Sequence, residues 1–104
     1  MAAPKELRGR CKAHLVRLAA AQHGVASGLR IESVDKQNGI LELKVSWDKQ
    51  EFRFLFYRDE DTIFVVNFFQ KKQAKTPPKE IHIAVLRRKE IELDRAKIIH
   101  SGFQ

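Results

Sequence analysis

The sequence has few of the residues on which common small-protein chemistries depend. Its single cysteine, Cys11, cannot form an internal disulfide, so the reducing cytoplasm is the expected compartment. Cys11 lies in a helical pattern, which favours a small buried side chain over a nucleophile activated by His14. No apolar run approaches the roughly 20 residues of a membrane span, and residues 1–10 lack the apolar core of a signal peptide. We therefore expect no membrane partner.

Familiar motifs for metals and catalysis are also missing. The sequence has no glycine-rich phosphate loop and no zinc-type spacing of Cys and His. Its histidines are scattered: His14, His23, His82 and His100. The acidic residues fall mainly in predicted turns and in the last predicted helix, so two-carboxylate catalysis has no obvious site. We expect neither a metal nor another cofactor.

Positive charge is abundant. Twenty Lys and Arg against thirteen Asp and Glu give a formal net charge of +7. A basic surface can simply serve solubility, but these cations are clustered, which favours a polyanionic partner such as nucleic acid or an acidic protein. The length of 104 residues and the 43% hydrophobic content predict a single domain over residues 1–104.

Hydrophobic periodicity predicts an α+β fold with helices at both ends of an antiparallel sheet. A helix is predicted over 5–22, and a second one has Thr76 as its N-cap, Pro77 as its first residue and a continuation to Ala96. Between them, alternating patterns predict at least a three-stranded meander: Ile40–Trp47, Glu51–Tyr57 and Thr62–Phe69. The last of these strands is almost continuously apolar, so we expect it to be the most buried.

Two further segments are open to alternatives. Residues 25–39 read as loop with an optional strand over Leu29–Val34, and Asn38-Gly39 is a strong turn signal that favours a hairpin. The tail around residues 98–100 fits either a last short strand or a fraying end.

A cationic segment joins the third predicted strand to the last helix. Between Phe69 and Glu80 the sequence has no acidic residue. It has four lysines there: Lys71, Lys72, Lys75 and Lys79. Such a patch at a strand-to-helix joint is suited to hold phosphate.

Arg53 is the second sign of a phosphate site. It lies in a strand rich in phenylalanine, where an arginine is costly unless it meets a groove or a partner. If the strands pair around the 48–50 turn, Lys44 and Arg53 lie together on one face. With the lysines at 71 and 72, this face could stabilise the charge of a phosphoryl-transfer transition state. RNA supplies its own 2′-OH nucleophile, so no metal is required.

Purely structural roles are the alternative explanation for these residues. Arg53 is equally consistent with a structural arginine paired to Glu42 or Glu51. Tyr57 and Phe69 are candidates for stacking on bases, although core packing is the stronger expectation for Phe69.

Three ordered segments resemble the RelE/HigB-like toxins, and most closely the phage-derived branch of that superfamily. They are Gly39-Ile-Leu-Glu-Leu-Lys44, Phe52-Arg53-Phe-Leu-Phe-Tyr57 and Phe69-Gln-Lys-Lys-Gln-Ala-Lys-Thr-Pro77, followed by Glu80 and Ala84. The resemblance covers about residues 5 to 90. It implies a type II toxin that cleaves mRNA on the ribosome and inhibits translation. It also implies a cognate antitoxin, often a helix-turn-helix protein.

The resemblance also implies roles for particular residues. Arg53 is expected to contact the scissile phosphate, while Lys71 and Lys72 bind phosphate or stabilise charge as catalytic residues. The expected RNA-binding residues are Lys44, Tyr57, Lys75 and Lys79. Lys44 stands where an arginine is usual, which keeps the charge but loses the fork geometry.

Other departures favour alternatives. No Tyr or His closely follows the lysine pair, so a general acid is not evident, and His82 and His100 are only weak candidates. The usual first strand and leading helix are not recognised, which predicts a sheet edge that is exposed or covered by a partner. A non-catalytic module of the same fold that binds nucleic acid or an antitoxin-like protein is therefore the alternative function, and a structural phage protein is a third.

Overall fold

The computed structural model describes residues 5–20 and 28–102, with side chains described up to residue 96. The elements are α1 (Lys5–Ala20), β1 (Arg30–Asp35), β2 (Ile40–Trp47), β3 (Gln50–Asp59), β4 (Thr62–Lys71) and α2 (Pro78–Gly102). The strands form one antiparallel sheet in the order β1-β2-β3-β4. This confirms the predicted α+β architecture, with the optional strand as its fourth member. The arrangement is compatible with a RelE-like fold.

Tight turns produce the meander. Asp48 and Lys49 both have positive φ angles, 51° and 60°, as the two central residues of a type I′ hairpin require. The predicted turn before β2 is also present, and Gly39 has a φ of 65° there. Asp35 holds this turn by accepting hydrogen bonds from the backbone and side-chain amides of Asn38, and these bonds lower the pKa of the Asp35 carboxyl.

The two faces of the sheet carry separate cores, as the alternation in β3 predicts. One face packs under α1, where Leu7 and Leu18 meet the three phenylalanines Phe52, Phe54 and Phe56. The opposite face packs under α2 through Ile40, Leu55, Tyr57, Val66 and Ala84. The last helix also contributes Ile81, Val85 and Ile91, which pack against this second cluster.

The prediction that the third predicted strand is the most buried is wrong. That strand is β4, and it lies at the edge of the sheet. Val65 and Phe68 remain more than two-fifths exposed. The most buried strand is β3, whose residues 52–57 are all buried. An apolar run shows only that both faces of a strand favour burial, and here Val65 and Phe68 stay partly exposed on one face of β4.

The ends of the helices differ slightly from prediction. The last helix begins at Pro78, because the carbonyl of Pro77 accepts the amide of Ile81 as the first intrahelical bond. Pro77 is therefore the N-cap, and Thr76 lies outside the helix. A strand over 98–100 is also wrong, since α2 continues to Gly102. The predicted continuation of the first helix to residue 22 lies outside the described residues. No helix within residues 5–20 or 28–102 has the length and apolar content of a membrane crossing.

Candidate functional site

The register of the sheet gathers the predicted cationic residues on one face. Arg30 of β1 pairs with Lys44 of β2, and Lys44 pairs with Arg53 of β3. The predicted approach of Lys44 and Arg53 is therefore confirmed. Lys71 ends β4 opposite Glu51, on the same face of the sheet. Since α2 covers this face near Tyr57, the row of cations lies at the more open end.

Most of the cations in this row are paired with carboxylates. Arg53 Nε lies 3.2 Å from Glu42 Oε1, at ion-pair distance but not aligned for a hydrogen bond. Its Nη1 donates to Glu51 Oε2 at 3.3 Å and to the carbonyl of Phe52 at 3.1 Å. The arginine side chain is only 5% exposed. The alternative that Arg53 is paired to Glu42 or Glu51 is thus what the structure shows, and it pairs with both.

The outer members of the network are more exposed. Lys44 Nζ lies 2.8 Å from Glu32 Oε2, and this contact, with smaller contributions from Lys71 and Arg53, lowers the pKa of Glu32. Glu51 accepts a hydrogen bond from Ser46 at 2.7 Å, which is the largest cause of its lowered pKa. Both carboxyls therefore stay ionised around neutral pH, and they offset part of the positive charge of the row.

The joint between β4 and α2 is hydrogen-bonded to the same network of ion pairs. The hydroxyl of Thr76 donates to Oε2 of Glu42, a glutamate that is 1% exposed. A cavity of about 250 Å³ lies between the joint and the sheet. Lys71 and Lys75 line it beside Glu32 and Glu42. The structure therefore brings two of the predicted lysines to the open end of the Arg53 row.

The remaining residues predicted for the RNA site lie outside this cavity. Lys72 and Lys79 are exposed near the joint. Tyr57 is 1% exposed, with Phe64 stacked on its ring at 4.9 Å and the Arg88 guanidinium 4.3 Å from its centroid. Burial raises the pKa of its hydroxyl. The ring is therefore not presented to an incoming base.

Among the described residues, no histidine lines the cavity. His82 is exposed on α2, and the side chain of His100 lies outside the described residues. Cys11 is a buried residue of α1 and burial raises its thiol pKa, as expected of a packing residue. Among the described side chains, no cluster of three His, Cys, Asp or Glu is placed to hold a metal ion.

Comparison with known families identifies the family of this chain. The family model described as phage derived protein Gp49-like (DUF891) matches residues 2–89. The chain belongs to this Gp49-like family. The family is one of toxin-like proteins of toxin–antitoxin systems, which suggests an antitoxin partner. No curated protein and no solved structure gives a significant match. The match spans α1, the whole sheet and the first half of α2, so it includes every part of the site.

Reasoning from the sequence missed several residues of this Gp49-like site. Arg30, Glu32, Ser46 and Thr76 all hold the network. Ser46 had a visible signal, because Glu42, Lys44 and Ser46 alternate with apolar residues and so share one face of β2. Glu32 and Thr76 had no such signal in the sequence. Only the pairing of β1 brings Glu32 to Lys44, and only the path of the joint brings Thr76 to Glu42.

Proposed function

We propose that this Gp49-like protein is the toxin of a type II system of the RelE/HigB superfamily and that it acts in the cytoplasm. Its proposed activity is metal-independent cleavage of mRNA on the ribosome, and its proposed inhibitor is a helix-turn-helix antitoxin. The family match supports the role of toxin. The nuclease assignment is supported by the clustering of basic residues around the cavity at the β4–α2 joint.

One observation carries the proposal: Lys71 and Lys75 line a single cavity at the open end of the Arg53–Lys44 row. We assign phosphate binding to the lysines of the joint, Lys71, Lys72 and Lys75, because Lys72 and Lys75 are exposed and Lys71 is half-buried. Arg53 is too deeply buried to make the first contact with an RNA phosphate. We assign it the role of holding Glu42 and Glu51 in place and adding positive potential from beneath.

The chemistry follows from what RNA brings to such a site. The 2′ oxygen forms a bond to phosphorus while the bond from phosphorus to the 5′ oxygen breaks, which leaves a 2′,3′-cyclic phosphate and a 5′ hydroxyl. Since none of the described histidines lines this cavity, we assign water as acceptor of the 2′ proton and as donor to the leaving oxygen. The lysines stabilise the additional negative charge on the phosphoryl oxygens in the transition state.

The alternative function is a non-catalytic module that binds RNA or an antitoxin-like protein. A specific observation favours it: Arg53 is already paired with two internal carboxylates, so it has little free charge to offer a substrate. The two functions differ in whether new RNA ends appear.

Primer extension on mRNA from induced cells separates them. The wild-type chain is compared with Lys71→Ala/Lys72→Ala and with Lys36→Ala/Lys89→Ala, which removes the same charge from exposed positions away from the cavity. We expect new ends within translated codons for the wild type and the control. The site variant should lose them by on the order of 10²-fold. Absence of new ends from wild-type protein at verified expression would leave the binding module as the function.

A further inference from the structure

One face of the sheet is not covered along β4. α1 packs mainly against β2. A helix is about 10 Å wide and strands are about 4.8 Å apart, so one helix covers roughly two of the four strands. At the uncovered edge, Val65 and Phe68 of β4 lie opposite Phe56 and Phe54 and are 42% and 43% exposed. Because Phe54 and Phe56 of β3 are themselves buried, the bare strip runs along β4, beside α1.

The strip forms the floor of a groove beside α1. The groove has a volume of about 500 Å³. Phe68 lies in its floor, with its ring centroid 4.5 Å from that of Phe54 and 5.9 Å from that of Phe52. The wall is α1, where Val16 is 58% exposed. The groove thus has a rigid aromatic floor and an aliphatic wall, both suited to the apolar side chains of a partner.

Two cations mark the wall of the groove. Arg8 and Lys12 lie one turn apart on α1 and are exposed. The other residues in the described lining of the groove are all apolar. A second copy of this chain would bring like charges together, because each copy carries a net charge of +7. An apolar floor also offers nothing to hydrogen-bond the edges of RNA bases. Charge complementarity therefore selects an acidic protein segment.

We infer that this groove binds an amphipathic helix with an apolar stripe and acidic residues along one flank. The stripe enters between Val16 and Phe68, and the flank meets Arg8 and Lys12. A strand would instead add to the open edge of β4, whereas the apolar groove between α1 and Phe68 suits the apolar stripe of a helix. The source of this helix is the antitoxin, and on this point the inference rests on the proposed function. The groove lies on the opposite face of the sheet from the lysine cavity, so the helix binds away from the RNA site.

Selection from a phage-displayed library of helix-forming peptides tests this groove without a known antitoxin. The full chain is the target, and dissociation constants of selected peptides are then measured by fluorescence anisotropy. We expect apolar residues at i, i+3 or i+4 and i+7, flanked by Asp or Glu. Arg8→Glu/Lys12→Glu should weaken binding about tenfold or more, which corresponds to the loss of one or two charge pairs.

Substitutions in the floor and wall provide the second readout. Phe68→Glu and Val16→Glu should each weaken binding by about tenfold or more, since each introduces a charge into the apolar groove. The matched control is Leu93→Glu, because Leu93 is 63% exposed on α2 and lies outside the groove. It should leave binding unchanged. Circular dichroism establishes that each variant is folded, and Val16→Glu serves if Phe68→Glu unfolds, since Val16 is the more exposed.

Several outcomes would overturn the inference. These are selected peptides without acidic flanks, binding that survives both groove variants, or a dimer or RNA complex that the same variants abolish. Failure of this inference and failure of the proposed function are distinguishable. A chain that binds acidic helices but cleaves no mRNA overturns the nuclease. A chain that cleaves mRNA but selects no such helix overturns the groove.

Discussion

Glu42 and Arg53 form an ion pair within the sheet, with Nε of the arginine 3.2 Å from Oε1 of the glutamate and side-chain exposures of 5% and 1%. The hydroxyl of Thr76 and the carboxylate of Glu51 complete the surroundings of this pair. Because the pair joins the sheet to the β4–α2 joint, it affects both the stability of the fold and the position of the candidate site.

Removing one partner of this pair should be more costly than removing both. Arg53→Ala leaves Glu42 buried without its cation, and we expect the free energy of unfolding to fall by about 3–5 kcal/mol. The double variant Arg53→Met/Glu42→Leu should recover most of that loss, since it removes both charges and keeps the volume. Urea unfolding measures both values. Equal losses in the single and the double variant would contradict the pairing.

This result decides how a loss of toxicity is interpreted. An inactive Arg53→Ala protein that is also unstable says nothing about contact with RNA. A double variant that is stable yet inactive would assign Arg53 a direct influence on the reaction, and one that is stable and active would make it purely structural.

Thr76 should fix the joint through its hydroxyl. Thr76→Val keeps the shape of the side chain but leaves the buried Glu42 without this donor, so we expect a loss of about 1–3 kcal/mol in unfolding free energy. Thr76→Ser retains the donor and should lose much less. If the two variants are equally stable, the hydroxyl does not hold the joint in solution.

Two glycines should respond oppositely to alanine. Gly39→Ala places a side chain at a φ of 65°, where its Cβ would also lie 2.6 Å from Arg88 Nη1, and we expect a loss of more than about 1 kcal/mol. Gly9 lies within α1 with open space around it, so Gly9→Ala should gain about 0.5–1 kcal/mol. Thermal unfolding of both variants checks the pair. A stabilising Gly39→Ala would show that the turn adopts another conformation.

Glu51 should make stability depend on pH. Hydrogen bonds from Ser46 and Arg53 and the charge of Arg30 lower the pKa of this carboxyl in the folded protein. Because the unfolded value is about 4.3 and the folded value is lower, the stabilisation is fully present above about pH 5. It is lost as the pH falls through the folded pKa.

The measurement is urea unfolding of the wild type and Glu51→Gln from neutral pH to about pH 3. The stability difference should be largest at neutral pH and shrink on acidification. Ser46→Ala removes the strongest single cause of the lowered pKa, so its pH dependence should be weaker than that of the wild type. A difference that grows towards acid pH would contradict the assignment.

Much of the fold was predictable because its signals are local. The alternation of Phe52, Phe54 and Phe56 set one face of β3, and Asn38-Gly39 marked a turn that the structure contains. The same locality limited the prediction for β4. Its apolar run indicated burial, but whether α1 or α2 reaches both sides of an edge strand depends on contacts that no local pattern contains.

The sequence by itself determined the meander, the helices at both ends and the set of cations that includes Lys44, Arg53 and Lys71, since periodicity and charge are properties of the chain. Only the tertiary structure decided that Arg53 is enclosed by Glu42 and Glu51 and that Tyr57 is buried. The physical reason is that the energy of a charge depends on which residues surround it in space. In an antiparallel sheet, register sets those neighbours. Here it brought together Glu32, Lys44, Arg53 and Lys71, which are far apart in the sequence.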